Sequence, residues 1–242
     1  MYDTIHSKFL IHWTGKDINP STEKLDGEKR AKYLERLNNT LKAGLYMKPG
    51  EETIQGVDTK SITAGIARVC FTEIKLTQTE KHAKHYGSLG IGFNRNFVLE
   101  REGNPVFYVQ NGDKGHIIEN LVVLRDSMNV PSAKKDELEI ILGYLKGMSC
   151  TNETELKYYD EMEWRIVHID RLTGANNYIY DNGEKTKDGK NIFRLKLKPE
   201  DIQLIIFPDN ETKRLALKDE EFFRYFNNYI PTLIALDDCK NF

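Results

Sequence analysis

The chain has 242 residues, 30% of them charged, 39% hydrophobic and 10% aromatic, with a formal net charge of -2. This is a globular composition with enough apolar residues for a sizeable core, and it excludes a disordered tail or collagen-like chain. The near-neutral charge excludes a global field that would draw the chain onto nucleic acid or membrane, and no segment approaches the roughly 20 apolar residues of a membrane helix.

Lys8–Trp13 reads as a first strand, broken by Thr14-Gly15-Lys16-Asp17 and Asn19-Pro20. Glu28–Ala43 carries Ala31, Leu34, Leu37 and Leu41 at spacings of three and four, one face of an amphipathic helix that Gly44 stops. Leu45–Lys48 is followed by an expected polar loop over Pro49–Lys60. Ile66–Thr72 reads as a buried strand, and Thr77-x-x-Glu80 as a capping box opening a helix through Tyr86. Gly87, Gly90 and Gly92 punctuate the exit; Ile91–Phe93 and Val106–Val109 read as strands, and Ile117–Leu124 as strand or helix. A helix is expected over Ser132–Gly147, a strand through Glu161-Met162-Glu163-Trp164-Arg165-Ile166, and a long hairpin or loop over Arg171–Lys190. Strands at Phe193–Leu197 and Leu204–Phe207 and a terminal helix at Asp219–Asn228 complete the reading. Strands and helices alternate early and then separate, which favours an α+β domain over a doubly wound sheet, and no break in composition divides residues 1–242.

Cys70, Cys150 and Cys239 are odd in number and lack CxxC spacing, as expected of reduced thiols in a cytoplasm. The start shows no basic segment followed by a long apolar run, so no signal peptide is expected. His82, His85 and Tyr86 share a helical face, but HExxH is absent and a third metal ligand is not evident, so no metal is expected. The glycines at 87, 90 and 92 follow a helix and precede a strand, the reverse of a dinucleotide-binding turn. Strand alternation places Glu161, Glu163 and Arg165 on one face, the two carboxylates about 6–7 Å apart. That face is either an exposed ion-pair ladder or the wall of a site for acid–base work or for stabilising a cationic transition state. Lys81, Lys84, Arg95 and Arg101 cluster in sequence around the glycine-rich exit, as a solvated face or a basic surface for nucleic acid.

Taken together, His12-Trp13-Thr14, Ala43-Gly44-Leu45, Val69–Thr72, Tyr86-Gly87, Gly90–Phe93 and the Glu-x-Glu-Trp-Arg strand resemble the AbiGi group of abortive phage-resistance proteins. More distantly the chain is similar to ADP-ribosyltransferases of the His-Tyr-Glu type. The resemblance implies an α+β fold with an ADP-ribosyltransferase-like split β-sheet and flanking helices. It also implies a cytoplasmic phage-defence toxin that transfers ADP-ribose from NAD, its substrate, to RNA, DNA or protein, and that is held in check by a cognate antitoxin or regulatory protein. Under it His12 would bind the adenosine ribose, the backbone at Trp13 would lie near the nicotinamide amide, and Thr14 would belong to the same cofactor-binding set. Tyr86 would stack on the nicotinamide, with His85 or Thr72 as alternatives at that position. Glu163 would stabilise the oxocarbenium-like transition state, Glu161 would face the acceptor, and Arg165 would orient Glu163 or contact pyrophosphate. The AbiGi group also carries the label of the antitoxin side of a pair, so the alternative is a non-catalytic antitoxin or NAD-binding sensor.

Overall fold

The computed structural model describes residues 9–20, 24–58, 60–110, 112, 116–127, 132–148, 162–174, 177–227 and 229–241. Its strands are β1 (Leu10–Thr14), β2 (Leu45–Met47), β3 (Glu52–Gln55), β4 (Ser61–Ala64), β5 (Arg68–Thr72), β6 (Leu89–Phe93) and β7 (Asn104–Pro105). They continue with β8 (Phe107–Gln110), β9 (Leu145–Met148), β10 (Glu163–Val167), β11 (Ile179–Lys185), β12 (Asn191–Leu195), β13 (Ile202–Phe207) and β14 (Thr232–Ala235). The α-helices are α1 (Gly27–Ala43), α2 (Thr79–Tyr86), α3 (Arg95–Leu99), α4 (His116–Ser127), α5 (Ser132–Leu142), α6 (Asn210–Ala216) and α7 (Glu220–Phe226).

A seven-stranded sheet in the order β14-β13-β6-β1-β5-β10-β7 forms the centre, antiparallel except for the parallel β13–β14 pair. The expected α+β class holds. One face of the sheet carries Leu10, Val69, Phe71, Ile91 and Ile166 and is covered by Tyr33, Leu37 and Leu41 of α1 and Phe222 and Phe226 of α7. The other face carries Ile11, Trp13, Leu204 and Ile206, with Ala83 of α2 over it. Leu10 and Ile11 thus serve different cores, as the two-residue strand period requires. A third cluster is separate: Ile54, Ile62, Val109, Ile118, Val122 and Leu145 join the β3–β4 hairpin, α4 and the parallel β8–β9 pair.

Local chemistry explains most of these boundaries. Asp26 caps α1, its carboxylate accepting from the Lys29 amide at 2.8 Å, and Gly44 ends the helix at a φ of +80°. Other boundaries differ from the sequence reading. The expected loop at 49–60 contains β3, because alternation over so short and polar a hairpin buries little beyond Ile54 and Ile62. The expected capping box is not formed: α2 starts at Thr79, whose hydroxyl donates to the Leu76 carbonyl at 2.6 Å. The helix expected to reach Gly147 stops at Leu142, where a Cβ on Gly143 would lie 2.6 Å from Ile66, and the chain continues as β9. The Asp219–Asn228 helix is not terminal, since β14 and a 3-10 turn at Leu236–Asn241 follow it.

The Glu-x-Glu strand is also shorter than expected. Met162 has a φ of +42°, so extended backbone begins only at Glu163. Glu161 lies outside the described residues; of the shared face proposed for it, the described part carries Glu163 and Arg165.

Candidate binding site

β1 and β5 meet in register at Ile11 opposite Thr72, whereas β1 pairs β6 along its whole length and β5 pairs β10 from Thr72 to Arg68. Where the β1–β5 ladder lapses, a side chain bridges the strands: His12 Nδ1 donates to the Cys70 carbonyl at 2.9 Å. The carbonyl only accepts, so the proton sits on Nδ1. Burial lowers the His12 pKa and outweighs that hydrogen bond, leaving the imidazole neutral. Trp13 Nε1 donates to Thr72 Oγ1 at 2.9 Å, and Thr72 Oγ1 donates to the Ile11 carbonyl at 3.3 Å.

A cavity of about 460 Å³ opens at this split. Its lining includes His12, Trp13, Thr72, Tyr86, Glu163 and Arg165, so six of the eight expected site residues come together. Thr14 is not among them; its hydroxyl accepts from Arg36 Nη1 at 3.1 Å. Glu161 is undescribed. Tyr86 ends α2, and the turn after it is tight: at Gly87, φ +112°, a Cβ would lie 2.2 Å from the Thr14 carbonyl oxygen.

The floor of the cavity is a chain of alternating charges. Glu163, 4% exposed, receives Arg165 Nε at 2.7 Å on one oxygen and Lys146 Nζ at 2.5 Å on the other. Arg165, 2% exposed, also pairs with Glu52 at 2.8 Å and donates to the carbonyls of Gly143 and Leu145. Arg68 pairs with Glu52 at 3.1 Å. Burial pushes the Glu163 carboxyl up, but the Arg165 and Lys146 charges outweigh it and hold the group at about 2. Cys70 stands opposite Arg165 in the ladder; burial, with the Glu163 charge adding to it, raises its thiol to about 12 and keeps it protonated. Each oxygen of the Glu163 carboxylate thus accepts from a neighbouring cation, which anchors the group within the cavity floor.

Lys146, Glu52 and Arg68 are absent from the expected site residues, and Cys70 enters the sequence reading only as a reduced thiol within the Val69–Thr72 strand. Lys146 lay within the over-extended helix and Glu52 within the expected loop, and only the cross-strand register reveals what each one touches. Of Lys81, Lys84, Arg95 and Arg101, read as a solvated face or a basic surface, Lys81 and Lys84 are exposed and Arg101 is drawn inside. Arg101 is 3% exposed, bonded to Asp201 at 3.2 Å and set over the Phe97 ring; Arg95 pairs with Glu73; Lys84 lies 3.8 Å from Glu80. His82 is buried and His85 exposed, and among the described residues no three His, Cys, Asp or Glu side chains are grouped to hold a metal ion. A second cleft, about 800 Å³ and lined by Glu51, Glu139, His168 and Asp170 among others, holds none of the expected site residues.

Fold and site define a mixed α+β protein with an ion-paired cavity at a split between two central strands. The family model described as abortive phage resistance protein AbiGi, antitoxin, matches residues 47–208, more than half of the chain, and the chain belongs to that family, whose phage-resistance role the description gives provisionally. No curated protein and no solved structure matches it. The family description overturns the expected NAD-dependent ADP-ribosyltransferase toxin, and no comparison supports a relationship to ADP-ribosyltransferases or a nucleic-acid acceptor. The antitoxin description fits a protein with a cognate partner. Among the described residues no helix is long and apolar enough to cross a membrane.

Proposed function

We propose that this chain is the antitoxin of an abortive phage-resistance pair, acting in the cytoplasm as one domain that binds a cognate toxic partner. The observation that carries this reading is the family match over residues 47–208 under an antitoxin description. The geometry supports it: Glu163 accepts from both Arg165 and Lys146, an arrangement that ties β9 to β10 as a structural clamp. In this reading the buried ion pairs serve to hold the small sheets on the central one, and they cost more to break than they contribute. The cavity favours a sensing role beside partner binding, because His12, Trp13, Tyr86 and Arg165 line it together; NAD bound without turnover is one such ligand.

The test is expression of the proposed cognate toxic partner, alone and together with this chain. The proposal expects growth arrest by the partner alone, growth in the presence of both, and recovery of the two proteins as one complex. Arrest that persists when both are expressed, with no complex recovered, refutes it.

A further inference from the structure

We infer that the mouth of the cavity is an anion subsite, built by Lys48 and Tyr46, and that its ligand is a nucleotide held by its phosphate. This rests on the reading of the cavity as a ligand site and names the chemistry it selects.

Four cations and three carboxylates line the cavity, and they are not equivalent. Arg68, Arg165 and Lys146 lie deep and are spent on Glu52 and Glu163. Lys48 is exposed at the rim, and its ammonium has no ion pair or hydrogen bond among the described residues. Tyr46 precedes it by two positions, so both side chains leave the same side of the chain while Leu45 and Met47 pack into the core. The Tyr46 hydroxyl is likewise without a hydrogen bond among the described residues, and its ring is 40% exposed. The backbone of Lys48 is fixed, its amide donating to the Arg68 carbonyl at 2.9 Å and its carbonyl accepting from the Arg68 amide at 3.2 Å. Two donors, a cation and a phenol, unspent among the described residues, therefore stand on a fixed backbone at the entrance. Glu51, also at the rim, is shared with the neighbouring acidic cleft.

Behind this mouth the walls are apolar and aromatic, with Trp13, Tyr86, Ile11 and Val69. A volume of about 460 Å³ lies within the usual range for small-molecule sites. A ligand that satisfies both parts carries a planar ring for the interior and a compact anion for the entrance, which is the chemistry of a nucleotide. The ammonium recognises the phosphate as a point charge and the phenol donates one hydrogen bond to it.

The test titrates the purified full chain with AMP, NAD, adenosine and inorganic phosphate by calorimetry. The inference expects saturable binding of AMP or NAD, with adenosine and inorganic phosphate each weaker by about ten-fold or more. Lys48→Glu is expected to weaken the nucleotide by at least that factor while leaving the melting curve unchanged, since the exposed Lys48 ammonium makes no hydrogen bond or ion pair among the described residues. Lys218→Glu, on the remote α6–α7 turn, is expected to change neither. Equal affinity for adenosine and AMP, or nucleotide binding untouched by Lys48→Glu, overturns the inference, as does absence of binding by all four compounds. Neutralisation of the toxic partner is scored separately. Loss of nucleotide binding with neutralisation intact removes the anion subsite alone, whereas failed neutralisation with nucleotide binding intact removes the antitoxin reading alone.

Discussion

Replacing Glu163 by Gln removes one charge and almost no volume, so its effect measures the ion-pair chain directly. In the native protein both oxygens accept, from Arg165 at 2.7 Å and Lys146 at 2.5 Å. The amide of Gln keeps one acceptor for Arg165 but turns an NH2 group toward the Lys146 ammonium, setting donor against donor. Arg165 retains Glu52 at 2.8 Å and two carbonyls, so the loss falls short of a fully orphaned buried cation. The carboxyl is held at about 2 against an ordinary 4.5. A depression of that size contributes roughly 3 kcal/mol to folding at neutral pH. Because the folded value is the lower one, this stability is fully present above about pH 4.5 and is lost as the pH falls toward 2. Urea denaturation of both proteins at pH 7 is expected to give Glu163→Gln about 3 kcal/mol less stability, or a melting point lower by roughly 6–12 °C. Repeating the comparison at lower pH is expected to close the gap between about pH 4.5 and 2. A variant within about 0.5 kcal/mol of wild type at pH 7, or a gap independent of pH through that window, refutes the account of Glu163 as an ion-paired clamp.

Three further outcomes follow from other contacts. Gly87→Ala sets a Cβ 2.2 Å from the Thr14 carbonyl at a φ of +112°, and is expected to lower stability by about 2 kcal/mol or more, read as a fall in the denaturation midpoint. The Cys70 thiol, held near 12, is expected to resist iodoacetamide at pH 8 in the native protein and to react once the chain is unfolded in urea, followed by mass spectrometry of the labelled peptide. Phe71→Ala empties a fully buried position among Phe93, Phe97 and the His12 ring, and is expected to cost about 3–5 kcal/mol in the same denaturation assay.

The long helix α1 and the strands β1, β5 and β10 were legible because each carries a complete local signal: helical spacing with a Gly stop for α1, short apolar runs for the strands. β3 and β4 were not, since a four-residue hairpin with one or two buried side chains per strand has almost no periodicity to read. α5 and β9 merged in the sequence because Leu138, Ile141, Leu142 and Leu145 keep helical spacing across the break at Gly143, which close packing against Ile66 imposes. Six of the expected residues line one cavity, and the contacts of Glu163 differ from those the sequence suggested. Its partner Arg165 was visible two positions away, while Lys146, 17 residues earlier in sequence, was concealed by the misread helix. The second cation engages the second oxygen of the carboxylate. Likewise Arg101 read as part of a solvated face or a basic surface, and only tertiary packing against Phe97, Tyr178 and Asp201 draws it inside.

The central claim is that this chain works by binding its partner and not by consuming NAD. Its most direct test mixes the purified chain, the toxic partner and NAD labelled in the nicotinamide, and follows both complex formation and nicotinamide release. The account predicts a stable complex that suppresses the toxic activity, with no nicotinamide released above the level seen without protein. Release of nicotinamide that requires this chain and disappears with Glu163→Gln would contradict it.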